Sequence, residues 1–160
     1  MLYKIRPHHG MCFAFFQRKG YSGEFIENMQ VMKEKLEENP EVILVCGPDD
    51  VCVHCPNNRN GKCACSSASS HFVNNTAPLF ENISQLPSEN SSFLQVSENN
   101  ETRFPCKADY YDRQVLAYCA LTVGSKIHWN DFAAAVKTSI LTPGNREKIC
   151  GNCEWNSLCR

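Results

Sequence analysis

The sequence has no apolar run near the roughly 20 residues that a membrane-spanning helix needs. The longest run close to the start, Met11 to Phe16, is too short even for a secretory core. It follows Arg6, His8 and His9, which is not the arrangement of a signal peptide. Charge of one sign is also missing. A net charge of −1 over 160 residues leaves no electrostatic footprint for nucleic acid or an anionic membrane. There is no Gly-rich phosphate loop, no Gly-x-Ser-x-Gly elbow, and no internal repeat beyond a rough likeness between two cysteine clusters. No carboxylate pair or Ser/His/Asp set is spaced so as to name a reaction, so enzyme status stays open. The expected location is therefore cytoplasmic, where thiols stay reduced.

What the sequence has in quantity is cysteine, 11 residues in 160. An odd count in a reducing compartment reads as metal binding or redox chemistry, not as a disulfide frame. The cysteines stand at 12, 46, 52, 55, 63, 65, 106, 119, 150, 153 and 159. None falls between Ser66 and Pro105, a stretch with nine Ser, six Asn, one Arg and no Lys. Such composition buries little apolar surface and reads as loop. Its four Asn-x-Ser/Thr sequons, at Asn74, Asn82, Asn90 and Asn100, read as by-products of the Asn/Ser bias, and Phe72, Phe80, Phe93 and Phe104 are its candidate docking points. We read residues 66–105 as a low-complexity insertion in one metal-binding domain spanning 1–160.

The remainder predicts a small, α-rich α+β domain with a short strand element, stapled by metal at two cysteine clusters. Pro7 suits a helix first turn, followed by His8, His9, Cys12, Phe15 and Phe16. Ser22 is placed to cap a helix whose Phe25, Met29, Met32 and Leu36 recur at helical spacing, with Asn39-Pro40 as its stop. Val42 to Cys46 reads as a buried strand, and Gly47-Pro48-Asp49-Asp50 as a turn. Asp112 is read as the cap of a helix running to about Gly124. Asn130 is read as the cap of another, with Phe132, Val136 and Ile140 inward and Pro143-Gly144 beyond.

The first cluster is Cys52-Val-His-Cys55, then Cys63 and Cys65; the second is Cys150-Gly-Asn-Cys153, then Cys159. A C-x2-C turn aims two sulfurs at one centre. Gly151 is expected to help by adopting positive φ. Paired structural zinc motifs normally use a much shorter spacer. Triplets with a remote fourth ligand suit an iron–sulfur cluster. The remote ligand is sought near the start, where Cys12 lies three and four residues from His9 and His8 and so shares a helix face with them. Cys12, Cys52, Cys55, Cys63, Cys150, Cys153, Cys159, His8 and His9 are thus the candidate ligands. They are enough for two centres and equally compatible with one. Trp155 is expected to shield the centre from water. Cys46 and Cys119 read as small buried hydrophobes, and Cys65 and Cys106 flank the insertion without a ligand-like setting. His54 reads as exposed; His71 and His128 have no partner visible in sequence. Asp49, Asp50 and Glu154 read as turn caps ahead of proton carriers.

Four motifs in order resemble a known family. They are Arg6-Pro7-His8-His9 with Cys12; Lys19-Gly20-Tyr21-Ser22 with Glu24-Phe25; Gly47-Pro48-Asp49-Asp50 with Cys52 and Cys63; and Cys150-x-x-Cys153-Glu154-Trp155-x-x-x-Cys159. Together they are similar to domain-of-unknown-function family 1284, across the whole chain except residues 66–105. The resemblance implies a bacterial or archaeal cytosolic protein that binds iron–sulfur, and it supplies no reaction. Gly10-Met11 departs from the two apolar residues expected before Cys12, and a cysteine at the place of Cys55 is not universal in the family.

The expected function is binding of an iron–sulfur cluster, of the 4Fe-4S type, for electron transfer or for redox or iron sensing, with a redox or protein partner. The alternative is a structural zinc protein that docks another protein, since zinc and iron–sulfur sites share tetrahedral sulfur geometry. A third is thiol–disulfide exchange at Cys52-Val-His-Cys55. That one is weakened by Pro56-Asn57-Asn58, which discourage a helix running through Cys55. No nucleic acid and no membrane are expected as partners.

Overall fold

Ser22 opens the longest helix. Its Oγ accepts the Phe25 N–H at 3.2 Å, and α2 runs over Gly23–Glu37. The four apolar residues spaced for one face, Phe25, Met29, Met32 and Leu36, are its buried residues. Asn39 ends the helix in the left-handed region, at φ 56°. The computed structural model describes residues 1–64, 95–96, 102–103 and 106–159. Cys65, His71, the four sequons and the four phenylalanines of the insertion lie outside the described residues.

The fold is α+β. A three-stranded sheet has the order β1-β2-β7. Its strands are β1 (Tyr3–Ile5), β2 (Glu41–Leu44) and β7 (Lys126–His128). β2 pairs parallel with β1, Ile5 opposite Leu44, and antiparallel with β7, Val42 opposite Ile127. Ile5, Val42 and Leu44 are wholly buried. The expected strand over Val42 to Cys46 stops at Leu44, leaving Cys46 half-buried beyond its end. A short hairpin, β3 (Asn58–Arg59) and β4 (Lys62–Cys63), follows a one-turn 3-10 helix at Val51–His54. Asn60 and Gly61 both take positive φ at its tip, 53° and 75°, the tight hairpin turn that Asn-Gly favours. Gln95–Val96 (β5) pairs antiparallel with Thr102–Arg103 (β6) within the insertion.

The helices depart from expectation where a polar residue was read as a cap. The third helix, α3, runs over Lys107–Cys119 with Cys106 at its N-cap, so it starts before Asp112 and ends before Gly124. Asp112 is an interior helix residue, fully buried. The next helix, α4 (Trp129–Val136), starts with His128 at its N-cap. Asn130 is exposed, and its N–H is met instead by Asn39 Oδ1 at 2.8 Å. A π-turn over Lys137–Leu141 extends α4, and Phe132, Val136 and Ile140 all point into the core as expected. Helix α1 is short, His9–Ala14, with Pro7 and His8 in the turn that enters it. A side chain at Gly10 would press on the Phe132 ring at 2.8 Å, so the glycine lets α1 lie close to α4. The departure at Gly10-Met11 is thus absorbed, and Met11 joins the core.

Arg6 ties these pieces together. Its Nε donates to Asp112 Oδ2 and its Nη2 to Asp109 Oδ1, both at 2.7 Å. Burial works against the charge, but Asp112 and Asp109 outweigh it and hold the guanidinium more firmly protonated than usual. Removing one partner of such a pair strands the other charge. Arg6→Met should therefore lower the unfolding free energy by about 3–5 kcal/mol. Urea titration followed by far-UV circular dichroism measures this, and a loss under about 1 kcal/mol would contradict the network's importance.

Candidate metal centre

Asp112 accepts twice more on its other oxygen, from the His8 backbone N–H at 3.0 Å and from His8 Nδ1 at 2.6 Å. Burial favours neutral His8 and, with the Arg6 charge pushing the same way, outweighs the pull of Asp112, so its pKa falls. Asp49 does the matching work for the next residue. Its Oδ2 accepts from Arg6 N at 2.5 Å and from His9 Nδ1 at 2.7 Å. Its Oδ1 takes the N–H groups of Val51 and Cys52, each at 3.0 Å. Burial alone would raise Asp49; His9 and the Arg6 N–H more than offset this and hold it at about 2. Two buried carboxylates thus set the entry of α1, and with it the position of Cys12 one turn further on.

At the other end of the chain, α5 (Arg146–Cys150) delivers Cys150 at its last residue. Three tight turns follow, with Cys153 N bonded to Cys150 O, Asn156 N to Cys153 O, and Cys159 N to Asn156 O. Gly151 is needed here for room and not for positive φ. Its φ is −61°, and a side chain would collide with the Glu147 carbonyl oxygen.

These two ends meet. Cys12, Cys150, Cys153 and Cys159 line one cavity of about 160 Å³, together with His8, His9, Met11, Phe15, Trp155 and Leu158. A dry engineered cavity of about 150 Å³ has room for benzene, so this one has room for a ligand group well beyond a single ion. Trp155 also stands edge-on to Tyr21, another lining residue, at 5.3 Å, and its backbone N–H donates to Cys153 Sγ at 3.5 Å. Arg146 is buried and donates to Cys150 Sγ at 3.9 Å and to Asn156 Oδ1 at 2.7 Å. Burial raises the Cys12 thiol, and Cys153, Cys150 and Cys159 raise it further by repulsion. Cys150 is pushed up to about 11, by burial first, with Arg146 pulling the other way.

The remaining candidates lie elsewhere. Cys52, Cys55 and Cys63 do not line this cavity. Cys52 is buried beside Asp49, and burial and that carboxylate both push its thiol up. Cys55, just after the 3-10 helix, is half-buried and raised by burial, with Cys63 on β4 adding repulsion. An exchange nucleophile needs the opposite shift. His54 is exposed. Among the described residues, His9, Asp49 and Cys52 are the set of three potential ligands whose donor atoms all lie within 4.8 Å of one another. Asp49 caps its turn as read from the sequence, through the Val51 and Cys52 N–H groups, whereas its bonds to Arg6 N and His9, and the parts played by Asp112 and Arg146, had no local signal. Only the Asn60-Gly61 hairpin had a local signal that could have been found.

Fold and site together define a small α+β protein with a cavity walled by four cysteines from the two ends of the chain. The chain belongs to the family described as "Protein of unknown function (DUF1284)", whose model matches residues 20–104 and 69–159. No curated protein and no solved structure matches it. Among the described residues, no helix is long and apolar enough to cross a membrane.

The raised thiols predict a pH effect. A group whose folded pKa lies above its unfolded value stabilises the fold below the unfolded pKa, and loses that contribution as pH rises through the folded one. For Cys150 the window runs from the ordinary 9.0 to about 11. Urea unfolding of the reduced, metal-free chain should show stability falling across that window, and less steeply in Cys150→Ala. Equal slopes in the two chains would contradict the assignment.

Proposed function

We propose that this chain is an iron–sulfur protein. Its cluster, of the 4Fe-4S type, would be held by Cys12, Cys150, Cys153 and Cys159, and would serve electron transfer or redox or iron sensing in the cytoplasm. The observation that carries the reading is the convergence of the C-terminal triplet with remote Cys12 on one cavity of about 160 Å³. Three cysteines from one segment and a fourth from afar is the ligand pattern such clusters use. The donor set fits the group: four sulfurs, apolar walls from Met11, Phe15 and Leu158, and an Arg146 N–H directed at Cys150 Sγ. Hydrogen bonds to sulfur and exclusion of water are the protein's means of setting a cluster's potential.

The spacing of the sulfurs bears on the choice of metal. Tetrahedral zinc with bonds of about 2.3 Å draws its thiolates to about 3.8 Å from one another. The compact ligand set of the described residues, His9 with Asp49 and Cys52, includes none of the four cavity cysteines. A group with several metal atoms suits sulfurs set around a wider space. Trp155 and Tyr21 would cover the rim, leaving the partner a redox protein that docks there.

The test is iron, zinc and acid-labile sulfide per chain in an anaerobic preparation. About four iron and four sulfide are expected in the wild type. Cys12→Ser and the pair Cys150→Ser/Cys153→Ser should each lose most of both, while Cys55→Ser keeps them. Zinc without sulfide, released by the same substitutions, would replace this reading with a structural zinc module. Full iron retention in Cys150→Ser/Cys153→Ser would remove the ligand assignment.

A further inference from the structure

We propose that His9, Asp49 and Cys52 form a second metal site, for one divalent first-row ion of the zinc type, outside the four-cysteine cavity. The three come from separate stretches of chain: His9 from α1, Asp49 from the turn after β2, and Cys52 from the 3-10 helix. Their donor atoms lie within 4.8 Å of one another. A tetrahedral zinc ion with nitrogen or oxygen at about 2.0–2.2 Å and sulfur at about 2.3 Å sets its ligands roughly 3.3–3.8 Å apart. His9 Nδ1 and Asp49 Oδ2, now 2.7 Å apart in a hydrogen bond, would open to that spacing as the ion replaces the proton between them, and Cys52 would close on them by on the order of an ångström, within reach of side-chain rotation.

All three residues are buried, at 6%, 5% and 7% exposure. That separates them from the exposed acidic clusters that form by chance. The carboxylate is oriented before any ion arrives, by the N–H groups of Arg6, Val51 and Cys52. Such support is what ligating carboxylates receive in metal sites. The charges also balance. Asp49 and the Cys52 thiolate carry two negative charges against a divalent cation. The thiol proton leaves to solvent, and the proton that His9 Nδ1 shares with Asp49 Oδ2 is displaced as well, so that the ring keeps one proton on Nε2 while Nδ1 takes the ion. One nitrogen, one oxygen and one sulfur leave a fourth tetrahedral position for water, as in zinc sites that do chemistry.

The site does not depend on the cluster, although His9 also lines the cluster's cavity. The experiment is therefore done on the full chain purified anaerobically, with iron and sulfide measured beside zinc. One equivalent of zinc is added, affinity is read by competition with a chelator, and zinc-edge X-ray absorption reads the first shell. The expected result is one tightly held zinc, with a single sulfur at about 2.3 Å and the rest nitrogen or oxygen at about 2.0–2.2 Å. Cys52→Ser and Asp49→Asn should each weaken zinc by more than the 10–100-fold that loss of an outer-shell partner costs. These variants are compared only where circular dichroism matches the wild type; the wild-type absorption spectrum decides the question alone if neither folds. A four-sulfur zinc shell, no retained zinc, or wild-type affinity in folded Cys52→Ser would overturn the proposal. Absence of iron and sulfide would instead overturn the cluster reading and leave this one standing.

Discussion

Arg6 is wholly buried, and it sits where β1 ends and the turn into α1 begins. A guanidinium out of water is tolerable only with its counter-charges fixed in place. Asp109 and Asp112 supply them from two positions on α3. Asp112 then spends its second oxygen on His8, backbone and ring together, so α3 and the entry of α1 cannot shift independently. Asp49 repeats the arrangement from the other side, joining Arg6 N and His9 to the turn that leads to Cys52. The register of Cys12 in its cavity follows from these two carboxylates. The apolar contacts of α1 alone, with Gly10 against Phe132, would allow a six-residue helix to slide.

The same network explains what could be read from the sequence and what could not. Local signals carried over well. Ser22 caps α2, the buried face of α2 is the one its spacing implies, and Phe132, Val136 and Ile140 are core residues as read. Asp112 misled because a polar residue ahead of an apolar run looks like a cap. Its real partner, Arg6, stands 106 residues away. Asn130 misled for a related reason, since its N–H is met by Asn39, a residue 91 positions earlier.

The candidate site was legible in its residue types and not in its grouping. The C-terminal triplet and the His-His-x-x-Cys start stand out by spacing. Nothing local says which triplet Cys12 joins. The fold sets Cys12 with Cys150, Cys153 and Cys159, and separates Cys52, Cys55 and Cys63 from them. Gly151 shows the same limit at smaller scale. Glycine was expected there for its positive φ, but the constraint is the carbonyl of Glu147 one helical turn back, which only the folded helix brings near.

Burial favours the protonated thiol at Cys12, Cys150 and Cys159 in the four-cysteine cavity. Four thiolates against Met11, Phe15 and Leu158 would repel one another with little water to screen them, and the raised Cys12 and Cys150 express that cost. Arg146 opposes it with one positive charge, part of which is spent on Asn156 and Glu147, and does not win. Cations brought into the cavity, as proposed above, would reverse the balance. Each thiol would give up its proton, the repulsion between sulfurs would become attraction to a shared centre, and Arg146 would be left to offset the remaining negative charge. If the proposed centre forms here, its uptake would release protons and strengthen as pH rises, over the same range in which the metal-free fold weakens.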